Sequence, residues 1–234
     1  PVLSYAVHSL AKNGITVINH IHDFVEDRPA NMEFMQKVIE TGFDESLRDI
    51  MYPVFSNVAF AVLNSSDLSR LHQLDIEKKR TFLIPNPVFF REGIKDKTKK
   101  RFNIRQNICT KLGINPGKKI VTYPVRVIRR KNIGEYILLA AIFKSEASWL
   151  VTQLPKNPVE IEFYNKWKDF CLENGIQIHF EAGQKVDFEE LIVASDYCFT
   201  TSIMEGFGMV FMEPWLLETP ILGRDIPYVT EDLK

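Results

Sequence analysis

Short runs rich in β-branched and aromatic residues alternate along this chain with helical patterns, and most of the runs are apolar on both faces. Ile15–His22 (ITVINHIH), Asn57–Asn64 (NVAFAVLN), Thr81–Pro85 (TFLIP) and Lys119–Tyr123 (KIVTY) read as strands. So do Ser148–Gln153 (SWLVTQ), Ile176–Phe180 (IQIHF), Asp196–Thr201 (DYCFTT) and Pro220–Gly223 (PILG). A strand apolar on both faces must be covered on both, as in a parallel sheet packed between helices. The helical candidates lie between the strands: Asn31–Thr41, Asp67–Leu74, Lys99–Leu112, Ile133–Phe143, Glu160–Asn174, Phe188–Ser195 and Val210–Leu217. In the second of these Leu68, Leu71 and Leu74 fall at i, i+3 spacing behind Ser66 or Asp67 as a cap. Gly113 and Gly175 stand where helices end. The expected fold class is therefore α/β with parallel sheets.

A chain of 234 residues makes one large domain or two small ones. Pro85–Lys100 (PNPVFFREGIKDKTKK) interrupts the strand–helix rhythm with two prolines, a glycine and a lysine cluster, and reads as an interdomain linker. It divides the chain into residues 1–90 and 91–234. Lys and Arg total 29 against 30 Asp and Glu, so no basic excess points to nucleic acid. Cys109, Cys171 and Cys198 are far apart and form no C-x-x-C pair, which reads as buried reduced thiols in a cytoplasmic protein. No apolar run approaches the roughly 20 residues of a membrane helix, although peripheral contact with an inner membrane stays compatible with this composition.

Two segments carry chemistry. In Thr200–Pro220 (TTSIMEGFGMVFMEPWLLETP) a strand ends, a Gly-Phe-Gly turn follows, and a helix begins near Met209. Free N–H groups at a helix start favour an anion, and glycines allow close backbone approach. Glu205 precedes the turn and Glu213 lies one turn inside the helix. A capped surface helix with two solvated glutamates is the plainer reading of the same pattern. The second segment, Tyr123–Asn132 (YPVRVIRRKN), places Arg126, Arg129, Arg130 and Lys131 on one loop after a strand. Such a loop suits a phosphate, and it also suits plain solvation. Nearer the start, His20-Ile21-His22-Asp23 closes the first strand, and no other ligand cluster supports a metal there.

Glu205-Gly206-Phe207-Gly208 with Glu213 resembles the E-G-F-G-x(4)-E signature of retaining glycosyltransferases of family 4, which adopt the GT-B fold. The continuation departs from the family, with Glu218 at a usual glycine position and Pro214 at a usual alanine. Arg126 and Lys131 match the family's Arg and Lys five residues apart, with Val125 and Asn132 at the flanking glycine positions. Ile84-Pro85-Asn86-Pro87-Val88 is similar to the I-P-N-G-V before the interdomain crossover, and Asn64–Ser69 to the serine turn facing the cleft. The H-x-H-D segment resembles that of bacterial glycogen synthases, where a histidine lines the cleft near the transferred sugar; by position this is His22.

The resemblance implies two Rossmann-like domains flanking a cleft, 1–90 on the acceptor side and 91–234 binding a nucleoside-diphosphate sugar. It implies that Glu205 and Gly206, Phe207, Gly208 and Met209 hold the donor hexose, Glu213 the ribose, and Arg126 with Lys131 the diphosphate, with no metal or other cofactor. Base recognition falls to Ala182-Gly183-Gln184. The expected reaction is retaining hexosyl transfer to a sugar, lipid-linked or small-molecule acceptor. The family opens about one strand–helix unit earlier than PVLSYAVHSLAKNG and continues past Lys234, so a fragment with a partial first domain is expected. A noncatalytic module that keeps the donor pocket is the alternative. A dehydrogenase is disfavoured because no G-x-G-x-x-G follows a strand. Glu205→Ala or Lys131→Ala is expected to abolish transfer without unfolding the chain.

Overall fold

A computed structural model describes residues 2–27, 29–40, 45–89 and 94–233. The chain divides into two compact units, residues 1–87 with 227–234, and residues 88–226. The division at Pro87 and Val88 falls inside the expected linker. Of that linker, residues 90–93 lie outside the described residues, and Ile94–Lys99 is helical rather than irregular. Residues 227–234 cluster with the first unit, whereas the sequence reading put them in the second.

The first unit runs α1 (Val2–Lys12), β1 (Val17–Ile21), α2 (Pro29–Glu40), α3 (Leu47–Met51), β2 (Val58–Val62), α4 (Ser65–Gln73) and β3 (Thr81–Leu83). Its sheet is parallel with order β1-β2-β3. The central strand β2 is the most buried, and Val58, Phe60 and Val62 share a core with Ala11, Phe24, Tyr52, Leu71 and Ile76. Helix α4 starts at Ser65, ahead of both expected caps, Ser66 and Asp67. Asn64 is the N-cap, its side chain accepting from the Asp67 N–H at 2.8 Å.

The second unit runs α5 (Ile94–Lys99), α6 (Arg101–Leu112), β4 (Lys119–Arg126), α7 (Ile133–Ile142), β5 (Ala147–Gln153), α8 (Pro158–Glu173) and β6 (Ile178–His179). It continues with α9 (Ala182–Lys185), α10 (Phe188–Ala194), β7 (Tyr197–Thr200), α11 (Met209–Leu216) and β8 (Ile221–Gly223). A short helix α12 (Pro227–Thr230) then returns to the first unit. Gly113 and Gly175 follow α6 and α8 in the left-handed conformation that their positions in the sequence require.

All five strands of this unit are parallel, in the order β6-β5-β4-β7-β8. Alternate residues explain why the strands are apolar throughout. Val121, Tyr123 and Val125 of β4 and Trp149 and Val151 of β5 enter one core with α7 and α8. Ile120 and Leu150 enter the opposite one with Ile108, Cys109 and Leu191 of α6 and α10. Cys109, Cys171 and Cys198 are all free and buried.

The strand order fixes where a ligand can sit. The chain builds outward from β4 through β5 to β6, then crosses to the other side of β4 for β7 and β8. Loops leaving the carboxyl ends of β4 and β7 therefore diverge, and the crevice between them is the topological switch point of the sheet. At the opposite end the two strands are pinned together. Asp196 accepts from the Ile120 N–H at 2.8 Å, from Arg105 at 2.9 Å and from Lys119 at 3.1 Å. Strand β4 runs through Pro124, three residues beyond its expected end. Proline is tolerated there because pairing with β7 stops at Thr122 and pairing with β5 shifts register between Tyr123 and Arg126.

Candidate functional site

The loop after β4 and the loop after β7 are stitched together at the switch point. The Ile203 N–H donates to the Arg130 carbonyl at 3.0 Å. Arg130 Nη1 donates to the Met204 carbonyl at 2.9 Å. The centre of the arrangement is Lys131, whose ammonium lies 2.5 Å from both carboxylate oxygens of Glu205. Both side chains are buried, at 9% and 5% exposure, so this ion pair is removed from water. Arg130 adds a second cation, its Nη1 3.5 Å from Glu205 Oε2. Burial pushes the Lys131 ammonium below the usual lysine range; Glu205 opposes that shift, and Arg130 and Arg126 add to it.

Backbone conformation sets the aim of these groups. Asn132, at the position where the resembling family carries glycine, has a φ of 54°. Asparagine is the side chain that most readily replaces glycine in this left-handed region, so the turn into α7 is kept. Gly208 has a φ of 86° and is the N-cap of α11, which accounts for the second glycine of the Gly-Phe-Gly turn. Helix α11 begins at Met209 directly after this turn, and the positive end of its dipole lies there. Glu218, at another position where the resembling family carries glycine, is also left-handed at a φ of 56°.

Arg126 is exposed at the end of β4. Arg129 turns away: its N–H donates to Glu160 at 3.3 Å and its guanidinium stands 5.2 Å from the Phe163 ring centroid. Gly206 and Phe207 are half-buried between Glu205 and the α11 start, and Met209 opens the helix. Pro214 lies inside α11 without moving its start, so Glu213 keeps its place in the helix. Arg126, Lys131, Glu205, the 206–209 turn and Glu213 thus all belong to the second unit, where Lys131 and Glu205 are in direct contact. His22 is exposed, directly after β1 in the other unit, its ring 4.5 Å from that of His20. Gly183 has a packing reason for being glycine: in α9 a Cβ would lie 2.8 Å from the Thr152 carbonyl oxygen at the end of β5. Among the described residues no group of three or more His, Cys, Asp or Glu side chains is placed to hold a metal ion. No helix among them is long and apolar enough to cross a membrane.

Sequence reasoning missed Tyr123 and Thr201, whose hydroxyls bond to the backbone around Lys131. It also left Arg130 without a role. The available signal was position: Tyr123 lies in the carboxyl-terminal half of β4, and Arg130 and Thr201 lie in the loops that follow β4 and β7.

Half-buried Glu213 has its carboxyl pushed up by burial. A carboxyl raised on folding holds its proton more tightly in the folded state, so its contribution to stability falls as pH rises through the window between unfolded and folded values. Glu213→Gln is expected to raise Tm relative to the parent at pH 7, with the gain shrinking at pH 4. Thermal melts at both pH values check this, and a gain equal at both would remove titration as the cause.

Residues 104–234 match the model of the family described as glycosyl transferases group 1. The mannosylglucosyl-3-phosphoglycerate synthase of Petrotoga mobilis is 33% identical over 96% of this chain and 44% of its own length. The chain therefore spans less than half of that relative. Among solved structures, WaaG, a glycosyltransferase involved in lipopolysaccharide biosynthesis, aligns with a TM-score of 0.64 at 16% identity over 92% of this chain and 58% of its own. Alr3699/HepE of Anabaena, solved with UDP and glucose, aligns with a TM-score of 0.55 at 14% identity over 88% of this chain and 52% of its own. These likenesses show the fold, which is α/β of the GT-B type with two Rossmann-like units.

Proposed function

Because the chain belongs to the glycosyl transferases group 1 family, we propose that it binds a nucleoside-diphosphate hexose and transfers the hexose, with retention, to a small-molecule acceptor. The observation that carries this reading is the meeting of Lys131 and Glu205, distant in sequence, at the switch point beside the start of α11. A sheet of this order binds ligands there. In the donor-bound state Arg126 and Lys131 hold the diphosphate, Glu205 and the 206–209 turn hold the hexose, and Glu213 takes the ribose hydroxyls. Gly183 and its neighbours at the end of β5 face the base. His22 lines the acceptor side.

The chemistry follows from where charge develops. The bond between the anomeric carbon and the diphosphate oxygen breaks, and the acceptor oxygen bonds to that carbon from the same face. The acceptor proton passes to the departing phosphate oxygen. Fixed cations and the N–H groups of α11 neutralise the diphosphate as it leaves, without solvent having to reorganise. That supply of positive charge supports a reaction that needs no metal. The name of the Petrotoga relative describes a product built from mannose, glucose and 3-phosphoglycerate, which supports a hexosyl donor and a small acceptor. Three buried, unpaired thiols fit a cytoplasmic setting.

A thermal-shift screen against UDP-, GDP- and ADP-hexoses tests the reading, because a ligand that binds only the folded state raises Tm. One sugar nucleotide is expected to raise Tm, and its labelled hexose to be released or transferred equally well in EDTA. Loss of turnover on chelation would overturn the metal-free mechanism. Binding with no turnover would identify a noncatalytic module, and no shift with any donor would remove the donor site.

A further inference from the structure

Two buried hydroxyls converge on the peptide that carries Lys131. The Tyr123 phenol donates to the Lys131 carbonyl. Thr201 Oγ1 lies 3.0 Å from the same carbonyl oxygen, 2.7 Å from the Asn132 carbonyl oxygen and 3.5 Å from the Tyr123 hydroxyl. Tyr123 comes from β4 and Thr201 from the residue after β7, so both strands bordering the crevice bond to the backbone at Lys131. Tyr123 is 0% and Thr201 3% exposed, so water does not substitute for these bonds. The Tyr123 ring is itself held at 4.8 Å from that of Tyr136.

Packing alone does not account for the two hydroxyls. Phenylalanine and valine would fill the same volumes, and a buried hydroxyl costs free energy unless it is bonded. Lysine reaches its ammonium position through four flexible side-chain torsions, so the end point depends on how firmly its backbone is anchored. Anchored this way, with Asn132 left-handed immediately behind it, Lys131 is directed to Glu205.

Resting on the donor-site reading above, we propose that Tyr123 and Thr201 are positioning residues: they contact no substrate and act by aiming Lys131 at the donor diphosphate. The test is a double-mutant cycle on nucleotide binding. Calorimetry of the parent chain with UDP, GDP and ADP selects the nucleoside diphosphate used as probe. Tyr123→Phe and Thr201→Val are each expected to weaken its binding about five- to tenfold, the effect of one hydrogen bond. In a Lys131→Met background the same changes are expected to alter affinity less than twofold, because the group they aim is gone. Should Lys131→Met unfold, Lys131→Met/Glu205→Leu serves as the background. An equal loss in both backgrounds means a general structural role and overturns the proposal, as does unchanged binding in Tyr123→Phe and Thr201→Val. If the parent binds none of the three nucleotides, the donor-site reading fails first and the positioning role falls with it.

Discussion

Lys131→Ala is expected to lower stability by about 3–5 kcal/mol and to abolish transfer, two losses with different causes. The stability loss arises because the Glu205 carboxylate, at 5% exposure, loses the ammonium that lies 2.5 Å from both its oxygens, while Arg130 stands farther off at 3.5 Å. Glu205→Ala strands Lys131 in the same way. The sequence alone leads to the expectation that either change spares the fold, whereas the burial of the pair leads to an expected loss of stability. Lys131→Met/Glu205→Leu removes both charges while keeping the volume filled, and recovers most of the lost stability. It is not expected to recover transfer, since loss of one fixed donor to a developing anion alone costs about 10²–10³ in rate. Urea unfolding of the three variants, read beside donor turnover, separates the effects. Single variants as stable as the parent would mean that the pair is not shielded from water.

Tyr136 is expected to be the next most sensitive position, and its two parts can be measured separately. Its ring is fully buried among Tyr123, Trp149 and Phe199. Its hydroxyl lies 2.8 Å from the Val121 carbonyl oxygen and 2.9 Å from that of Leu150, and accepts from the Leu150 N–H at 3.2 Å. A single side chain of α7 thus bonds to both β4, whose end carries the Lys131 loop, and β5, against whose end Gly183 of α9 packs. Tyr136→Phe is expected to cost about 1–3 kcal/mol through polar groups left without their partner. Tyr136→Ala adds a cavity and brings the loss to about 3–5 kcal/mol. Thermal or denaturant unfolding measures both. A Phe variant as stable as the parent would show that the hydroxyl is dispensable, and that burial of the ring alone fixes the strand pair.

Most elements were legible because their signals are local. Both-face apolar runs at Lys119–Tyr123 and Ser148–Gln153 became central strands, and glycines at 113 and 175 ended helices. Short elements were not. Leu47–Met51 and Ile94–Lys99 are too brief to show a period; the first carries no assignment from sequence and the second falls in the expected linker. The sequence pattern marks β4 only as Lys119–Tyr123, and the pairing pattern is what shows that the strand continues through Pro124. Asn132 illustrates a different limit. A lost family glycine looked like a changed loop, yet its φ of 54° keeps the turn, because the backbone requirement is a left-handed residue rather than glycine itself.

By itself the sequence determined the fold class, and the family resemblance placed the expected donor-site residues Arg126, Lys131, Glu205 and Glu213 within what is the second unit. It could do so because hydrophobic periodicity and turn chemistry act over a few residues. Only the tertiary structure decided that Lys131 and Glu205 form one buried ion pair, that Arg130 rather than Arg129 joins it, and that Tyr123 and Thr201 hold the peptide between them. Those contacts join residues about 70 or more positions apart, or 8 apart across a strand end. They exist because the chain crosses from one side of β4 to the other, and pairing at that distance depends on strand order rather than on any local pattern.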